Sequence, residues 1–249
     1  MPGFRPYDFK KFHQIGGPFI KIVWKYSSGL VANSDGLRKL ALSFHQRIPI
    51  EVIPNGIDLN FFKPSLRDGK IPQLLFTGRI VYQKGLDLLV EALSKLIDIP
   101  WELSIIGDGS YKDQLQQRID ALGLTSRIRF HGWRSKEELL PILAKSHIFV
   151  NPSRHEGMPN AVLEAMACGL SVIATRIAGN EDLVINRKNG ILVANENVIE
   201  LRNALRTLLT NKLLCEKMGK YSRTLVESKF SWSHSGEEYL ALLQKTAER

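Results

Sequence analysis

The sequence predicts an α/β fold, a Rossmann-like doubly wound parallel sheet. Three observations predict it. Short apolar runs of strand length, such as Gln73 to Thr77, Trp101 to Ile106 and His147 to Val150, alternate with helical patterns. Glycine, asparagine and proline close most of these runs as turn signals. The spacing from run to run leaves room for crossover helices, which implies right-handed βαβ units and a parallel sheet.

In chain order, residues 7–26 read as helix, residues 29–32 as a short strand, and Ser34 as the cap of a helix running to about Phe44. Ile50 to Ile53 reads as the next strand. Two helix-strand units are too few for a well-covered parallel sheet, so residues 1–55 read as the remnant of a domain. Pro54 to Asp58 is a turn, and residues 56–70 read as a linker.

A second domain, residues 71–228, starts near Pro72. Its first strand, Gln73 to Thr77, meets Gly78 and Arg79, and a short loop leads through Lys84 and Gly85 to a helix from Leu86 to Leu96. Trp101 to Ile106 is the second strand, ended by the turn Gly107-Asp108-Gly109 before a helix to about Leu122. Arg127 to His131 is the third. Ser135 with Glu138 forms a capping box for the helix that follows. His147 to Val150 is a buried strand ended by Asn151-Pro152-Ser153, and Pro159 fits the first turn of the next helix. Ser171 to Ala174, a short helix near Asn180 to Val184, and Ile191 to Val193 complete the alternation. From Glu196 to about Glu248 the chain is nearly all helical, interrupted near Phe230 to Ser233.

The helix after Pro159 is apolar on most of its circumference: Val162, Ala165, Met166 and Gly169 share one face while Leu163 and Ala167 extend the other. Glu164 is its only charge, and no cation stands three or four residues away. A carboxylate in such surroundings either points past the helix edge to solvent or serves a ligand, because unpaired buried charge is costly. Glu156, ahead of the helix start, stands at the same place.

Composition bounds the function. The 249 residues are 44% hydrophobic and 24% charged, as in an ordinary globular protein of one or two domains. A net charge of +9 suits an anionic partner: a nucleotide, a nucleic acid or an acidic membrane surface. Two cysteines, Cys168 and Cys215, make neither a disulfide framework nor a cysteine zinc site. No signal-peptide pattern and no long apolar run is present, so a cytoplasmic protein is expected.

In an open α/β sheet, ligands bind beyond the carboxyl ends of the strands. Four loops there carry notable residues: Gly78 to Lys84, Gly107 to Ser110, Gly132 to Arg134, and Pro152 to Asn160. Arg79 and Lys84 supply positive charge, and the helix after Pro159 supplies free N–H groups and a positive dipole end. Together they suit a diphosphate. Gly157 lets backbone approach a ligand closely, the N–H groups of Asn160 and Ala161 can face phosphate oxygens, and Glu164 can accept ribose hydroxyls. Taken singly, Arg79 and Lys84 read as solvated surface charges, and their placement at strand end and helix start is what points to a ligand; Gly107-Asp108-Gly109 is a turn rather than a dinucleotide fingerprint, and a tryptophan such as Trp133 is more often core than base-stacking platform. His131 and His155 are too scattered for a metal, and none is expected.

Glu156 and Glu164, with seven residues between them in HEGMPNAVLEAMACGLSVIAT, resemble the E-x7-E signature of the retaining glycosyltransferases of family 4, which have the GT-B fold and are also called glycosyl transferases group 1. The resemblance extends over FTGRIVYQKGLDLLVEAL, IIGDGSYKDQL, IRFHGW, VANSDGLRKLA and IEVIPNGID, nearly the whole chain from Leu30 onward. It implies transfer of a sugar from a UDP- or GDP-sugar to an acceptor hydroxyl on a glycan or lipid-linked acceptor, without a metal or other cofactor. By that resemblance Arg79 and Lys84 neutralise the leaving diphosphate, with Gly78 beside them, Glu156 binds sugar hydroxyls, Glu164 binds the ribose, and the backbone near Trp133 and Arg134 binds the base. Glu156 and Glu164 are then two binding contacts rather than an acid and base pair.

The resemblance also implies an N-terminal truncation. A GT-B enzyme has two Rossmann-like domains, and residues 1–55 match only the last units of the first, beyond its glycine-rich loop. Neither His13 nor His45 matches the family's acceptor-side histidine. Residues 229–249 resemble the helix that crosses back to the first domain. The expectation is a donor-binding half; the alternative is a non-catalytic sugar-nucleotide-binding subunit completed by a separate N-terminal-domain chain. A nucleic-acid partner is not expected, since no interleaved aromatic and basic motif is present. The segment with Phe4, Arg5, Phe9, Lys10, Lys11, Lys21, Trp24 and Lys25 suits an anionic lipid surface or a solvated helix face.

Overall fold

A computed structural model describes residues 19–44, 49–67 and 69–248. The helix expected over residues 7–26 is described only as α1 (residues 19–25); its earlier part, with His13, lies outside the described residues, as does His45. Strands β1 (Leu30–Ala32) and β2 (Ile50–Val52) pair in parallel, Leu30 opposite Ile50. Between them runs α2 (Asp35–Phe44), where Ser34 Oγ accepts the Leu37 N–H at 3.1 Å.

The rest of the fold is one six-stranded parallel sheet in the order β5-β4-β3-β6-β7-β8. The strands are β3 (Gln73–Thr77), β4 (Glu102–Ile106), β5 (Ile128–Gly132), β6 (Ile148–Asn151), β7 (Ser171–Thr175) and β8 (Gly190–Val193). The connecting helices are α3 (Leu86–Ser94), α4 (Lys112–Ala121), α5 (Lys136–Lys145), α6 (Asn160–Ala167) and α7 (Asn180–Leu183). They are followed by α8 (Val198–Thr210), α9 (Lys212–Lys229) and α10 (Trp232–Ala247). Chain winding starts at β3, moves outward to β5, then returns to β6 beside β3 and moves out the other way. The reversal opens a crevice at the carboxyl ends of β3 and β6.

Alternation of side chains along each strand builds a core on both faces. Leu74, Phe76, Leu103, Ile105, Ile148, Val150 and Ile173 point to one side, with α3, α4 and α8 over them. Leu75, Phe149, Val172, Ala174 and Leu192 point to the other, with α5, α6 and α9. Strands covered on both faces are near-continuous apolar runs, as β6 and β7 are.

Helix ends follow local chemistry. The Ser135–Glu138 capping box is formed. Helix α6 begins at Asn160, one residue later than the sequence pattern suggests: Pro159 is its N-cap, with extended backbone, and the Pro159 carbonyl accepts the Val162 N–H at 3.0 Å. The helical tail has a second break at Asn211, whose side chain caps α9 by accepting the Leu214 N–H at 2.9 Å.

The stretch read as a linker is packed along much of its length. Ile57 and Phe62 are buried in the second core. Arg67 donates to the carbonyls of Cys168 (2.6 Å) and Gly169 (3.2 Å), and Arg223 to those of Phe62 (2.7 Å) and Ala167 (2.8 Å), so two guanidiniums hold the C-terminal end of α6. Helix α10 lies against the first unit: Ser235 donates to the Pro54 carbonyl at 2.9 Å, and Lys245 pairs with Glu51 at 2.9 Å.

Gly219, inside α9, is where that helix meets the turn after α6: a Cβ there would stand 2.2 Å from the Gly169 oxygen. Alanine favours helix by about 1 kcal/mol over glycine, but overpacking costs about 1–3 kcal/mol. Gly219→Ala is expected to lower stability in urea unfolding; an unchanged or higher midpoint would refute this close approach.

Candidate functional site

The crevice is walled by the loop after β3 and the loop after β6. The first is laced to the turn after β4: Gly78 N–H donates to the Ile106 carbonyl (3.0 Å) and Ile80 N–H to that of Asp108 (2.8 Å). Gly107 must be glycine, since a Cβ would stand 2.0 Å from the Gly78 oxygen and its φ is 125°. The Gly107-Asp108-Gly109 turn is thereby a packing element, and Gly78 occupies the bend at the end of β3 with φ 148°.

Lys84 and Glu156 meet in the crevice. Lys84 Nζ is 2.6 Å from Glu156 Oε1, and the two side chains are only 18% and 10% exposed. Ser153 Oγ is 2.7 Å from the same carboxylate oxygen and 2.9 Å from Asn151 Oδ1; its one proton serves either acceptor. Behind it, Asn151 Nδ2 donates to Asn180 Oδ1 (2.9 Å), Asn180 Nδ2 to the Thr175 carbonyl (2.9 Å), and the Thr175 hydroxyl to the Ser153 carbonyl. Asn151, Ser153, Thr175 and Asn180 are all buried. This satisfied polar ladder fixes where Glu156 sits.

Arg154 fastens the same loop from the other side. Its fork grips Asp87 at 2.9 and 2.8 Å, its Nε donates to Glu196 (2.8 Å), its Nη1 also reaches the Tyr82 carbonyl (2.7 Å), and its plane lies 3.8 Å over the Tyr82 ring. Arg154 N–H donates to the Gln83 carbonyl (2.8 Å) and Gln83 Nε2 to that of His155 (3.0 Å). Arg79, by contrast, is exposed at the carboxyl end of β3.

Helix α6 opens onto the crevice. The N–H groups of Asn160 and Ala161 lie in its first turn, where no intrahelical carbonyl is available. Gly157 packs closely: a Cβ on Gly179 would stand 1.8 Å from the Gly157 oxygen, and Gly179 has φ 81°. The first unit reaches this end too, since Asn55 Nδ2 donates to Asn160 Oδ1 at 2.8 Å.

Glu164, one turn further along α6, is half-buried. Burial raises its carboxyl above the usual range, with the charge of Lys136 acting in the opposite direction. Lys136 opens α5, directly after the loop holding Trp133 and Arg134, so that loop and Glu164 border the same part of the crevice. Trp133 is 75% exposed, so it lies at the surface and not in the core where a tryptophan is more often found. Arg134 pairs with Glu138 along α5 at 3.1 Å.

The structure thus brings Lys84, Glu156, Gly157, Asn160 and Ala161 together and sets Glu164 one turn away. Sequence reasoning missed Ser153, Arg154, Asn180 and Gly179. The open grooves at the opposite end of the sheet, lined by Arg67, His147, Cys215 and Glu216, hold no comparable set. Among the described residues no helix is long and apolar enough to cross a membrane, and no three His, Cys, Asp or Glu side chains gather as a metal site.

Comparison with known proteins bears on the family and the fold. The profile of the glycosyl transferases group 1 matches residues 58–225. An uncharacterized glycosyltransferase of Methanocaldococcus jannaschii is 31% identical over 80% of this chain, which covers 52% of that relative. The chain spans about half the length of the curated relatives it matches. Among solved structures, sucrose-phosphate synthase from Thermosynechococcus elongatus superimposes with a TM-score of 0.85 at 23% identity, over 95% of this chain and 63% of that one. The Anabaena protein HepE in complex with UDP and glucose gives 0.83 at 22%, over 92% and 66%. These likenesses identify the fold as that of GT-B glycosyltransferases.

Two outcomes follow for the free protein. Arg154→Ala leaves Asp87 buried without its partner and is expected to cost about 3–5 kcal/mol in denaturant unfolding; a loss near zero would refute the buried fork. Glu164 has a folded-state pKa above its unfolded one, so folding disfavours its ionised form. That penalty is absent below the ordinary glutamate value of about 4.3 and complete above the raised one. Glu164→Gln is expected to raise the melting temperature near neutral pH, the difference closing as the pH falls below that value. A gain that persists in acid would refute the desolvation.

Proposed function

Because this chain belongs to the glycosyl transferases group 1 family, we propose that it carries the donor-binding half of a retaining glycosyltransferase of family 4. The observation that carries the proposal is the bracketing of one open helix end: Glu156 precedes, and Glu164 follows, the first turn of α6 at the reversal of the sheet. The donor is a UDP- or GDP-sugar. Its diphosphate lies at the N–H groups of Asn160 and Ala161, where the helix pole and phosphate charge attract. Arg79 and Lys84 flank it, Gly78 leaves room for it, and Gly157 brings backbone to the sugar.

Glu156 accepts hydrogen bonds from sugar hydroxyls. Glu164 accepts them from the ribose, which relieves the cost of its burial, and the base lies beside the backbone of Trp133 and Arg134. In the transfer, the bond from sugar C1 to the diphosphate oxygen breaks and its electron pair stays on that oxygen. The acceptor hydroxyl oxygen bonds to C1 on the same face and gives its proton to the departing diphosphate oxygen. The protein's part is electrostatic: Arg79, Lys84 and the pole of α6 stabilise the charge that develops on the leaving group, in place of a metal. The acceptor is a glycan or lipid-linked hydroxyl compound, and the protein works in the cytoplasm, at or near a membrane surface.

Calorimetric titration tests the site. The protein is expected to bind UDP or GDP and the matching sugar nucleotide, with affinity unchanged by EDTA. Arg79→Ala is expected to weaken diphosphate binding about 10- to 100-fold, the worth of about 1.5–3 kcal/mol for a charge-assisted hydrogen bond. Absence of binding to any nucleoside diphosphate or sugar nucleotide by the folded protein would overturn the proposal. An unchanged affinity in Arg79→Ala would remove that residue from the site.

A further inference from the structure

We propose that Glu156, besides contacting the sugar, competes with the diphosphate for Lys84, and so drives out the nucleoside diphosphate once the sugar has gone. The inference rests on the donor-binding reading above and adds a role in product release. Its basis is the 2.6 Å contact between Lys84 Nζ and Glu156 Oε1. The cation assigned to the phosphates and the anion assigned to the sugar hold each other.

The two ends of this pair are not equally tethered. Glu156 has a seat independent of Lys84, because Ser153 Oγ reaches the same carboxylate oxygen at 2.7 Å and Ser153 is backed by the buried ladder of Asn151, Asn180 and Thr175. Lys84 has a flexible four-carbon stem and, among the described residues, Glu156 is its ion-pair partner. Lys84 is therefore the member that turns, and Glu156 stays.

The charges then follow the ligand. With the whole donor bound, Lys84 turns to the diphosphate, and the sugar hydroxyls hydrogen-bond the carboxylate that Lys84 has left. Transfer removes the sugar. Glu156 is then a carboxylate with neither cation nor sugar hydroxyl, a few ångströms from a diphosphate, in a place where little water screens the repulsion. Recapture of Lys84 relieves it and weakens the hold on the product. Glu156 thus favours the complete donor and disfavours its nucleoside diphosphate, so its removal acts on the two ligands with opposite sign.

Calorimetric titration of the whole chain with UDP, GDP, UDP-glucose and GDP-mannose tests this in wild type, Glu156→Gln, Lys84→Ala and the double variant. Glu156→Gln is expected to tighten the free nucleoside diphosphate about 5- to 50-fold and to weaken the sugar nucleotide, and the tightening is expected to vanish in the Lys84→Ala background. The wild type offers a second measurement that needs no variant. Free glucose, galactose or mannose, by occupying Glu156, is expected to raise the affinity for the nucleoside diphosphate, and the diphosphate to raise that for the sugar by the same factor. Weaker or unchanged diphosphate binding in Glu156→Gln, with normal binding by wild type, overturns this inference and leaves the donor site standing. So does the lack of any sugar effect in wild type. Failure of the wild type to bind any of the four ligands overturns both.

Discussion

The loop that carries Glu156 has no regular structure of its own, and the Arg154 side chain ties it to two other loops. The Arg154 guanidinium joins Asp87 at the start of α3, the Tyr82 carbonyl and ring in the turn after β3, and Glu196 in the loop before α8. Three connections that leave different strands are thereby held together at the sheet's carboxyl edge. A buried ion pair contributes little net stability over a well-packed apolar cluster, but its geometry is demanding, and a planar fork against a carboxylate sets orientation as well as distance. Ser153 and Glu156, on either side of Arg154, inherit that orientation.

Around this anchor the site divides its tasks between rigid and movable parts. Backbone supplies the rigid part: the open turn of α6, the Gly157–Gly179 contact and the lacing of the loop after β3 to the turn after β4. Arg79 and Lys84, on long stems, supply the movable part. Two carboxylates lie between these extremes, Glu156 held by a buried hydroxyl and Glu164 held only by its helix. Two glutamates with seven residues between them thus have different environments, one hydrogen-bonded to a buried hydroxyl and one half-buried on a helix.

The alternation of strands and helices was legible because it rests on periodicity within single elements. The caps at Ser34 and Ser135 were legible for the same reason, since donor and acceptor are three residues apart. The order of the strands was not, because nothing in one strand's pattern names its neighbour. Nor were Arg154 with Asp87, or Asn151 with Asn180, whose partners lie 67 and 29 residues away. Gly179 carries no local signal, as its necessity comes from the Gly157 carbonyl that presses on it. The exposure of Trp133 was not legible either, because size and apolarity favour burial, whereas its place just after β5 leaves it at the surface. In the site, Glu156 and Glu164 stood out by being charges beside an apolar helix. The residues that aim them did not, because buried polar ladders look like any other serine and asparagine until the chain is folded.

The arginines at the far end of α6 have a consequence for its near end. In a helix of eight residues the two poles are about 12 Å apart and partly cancel when viewed from a ligand at one of them. Arg67 and Arg223 place two full positive charges on the carbonyls of the negative pole. Those charges offset the negative pole, so less of it opposes the positive pole at the open N-terminus. A segment too short to keep its own poles apart thus has its negative pole offset by side chains from two distant parts of the chain.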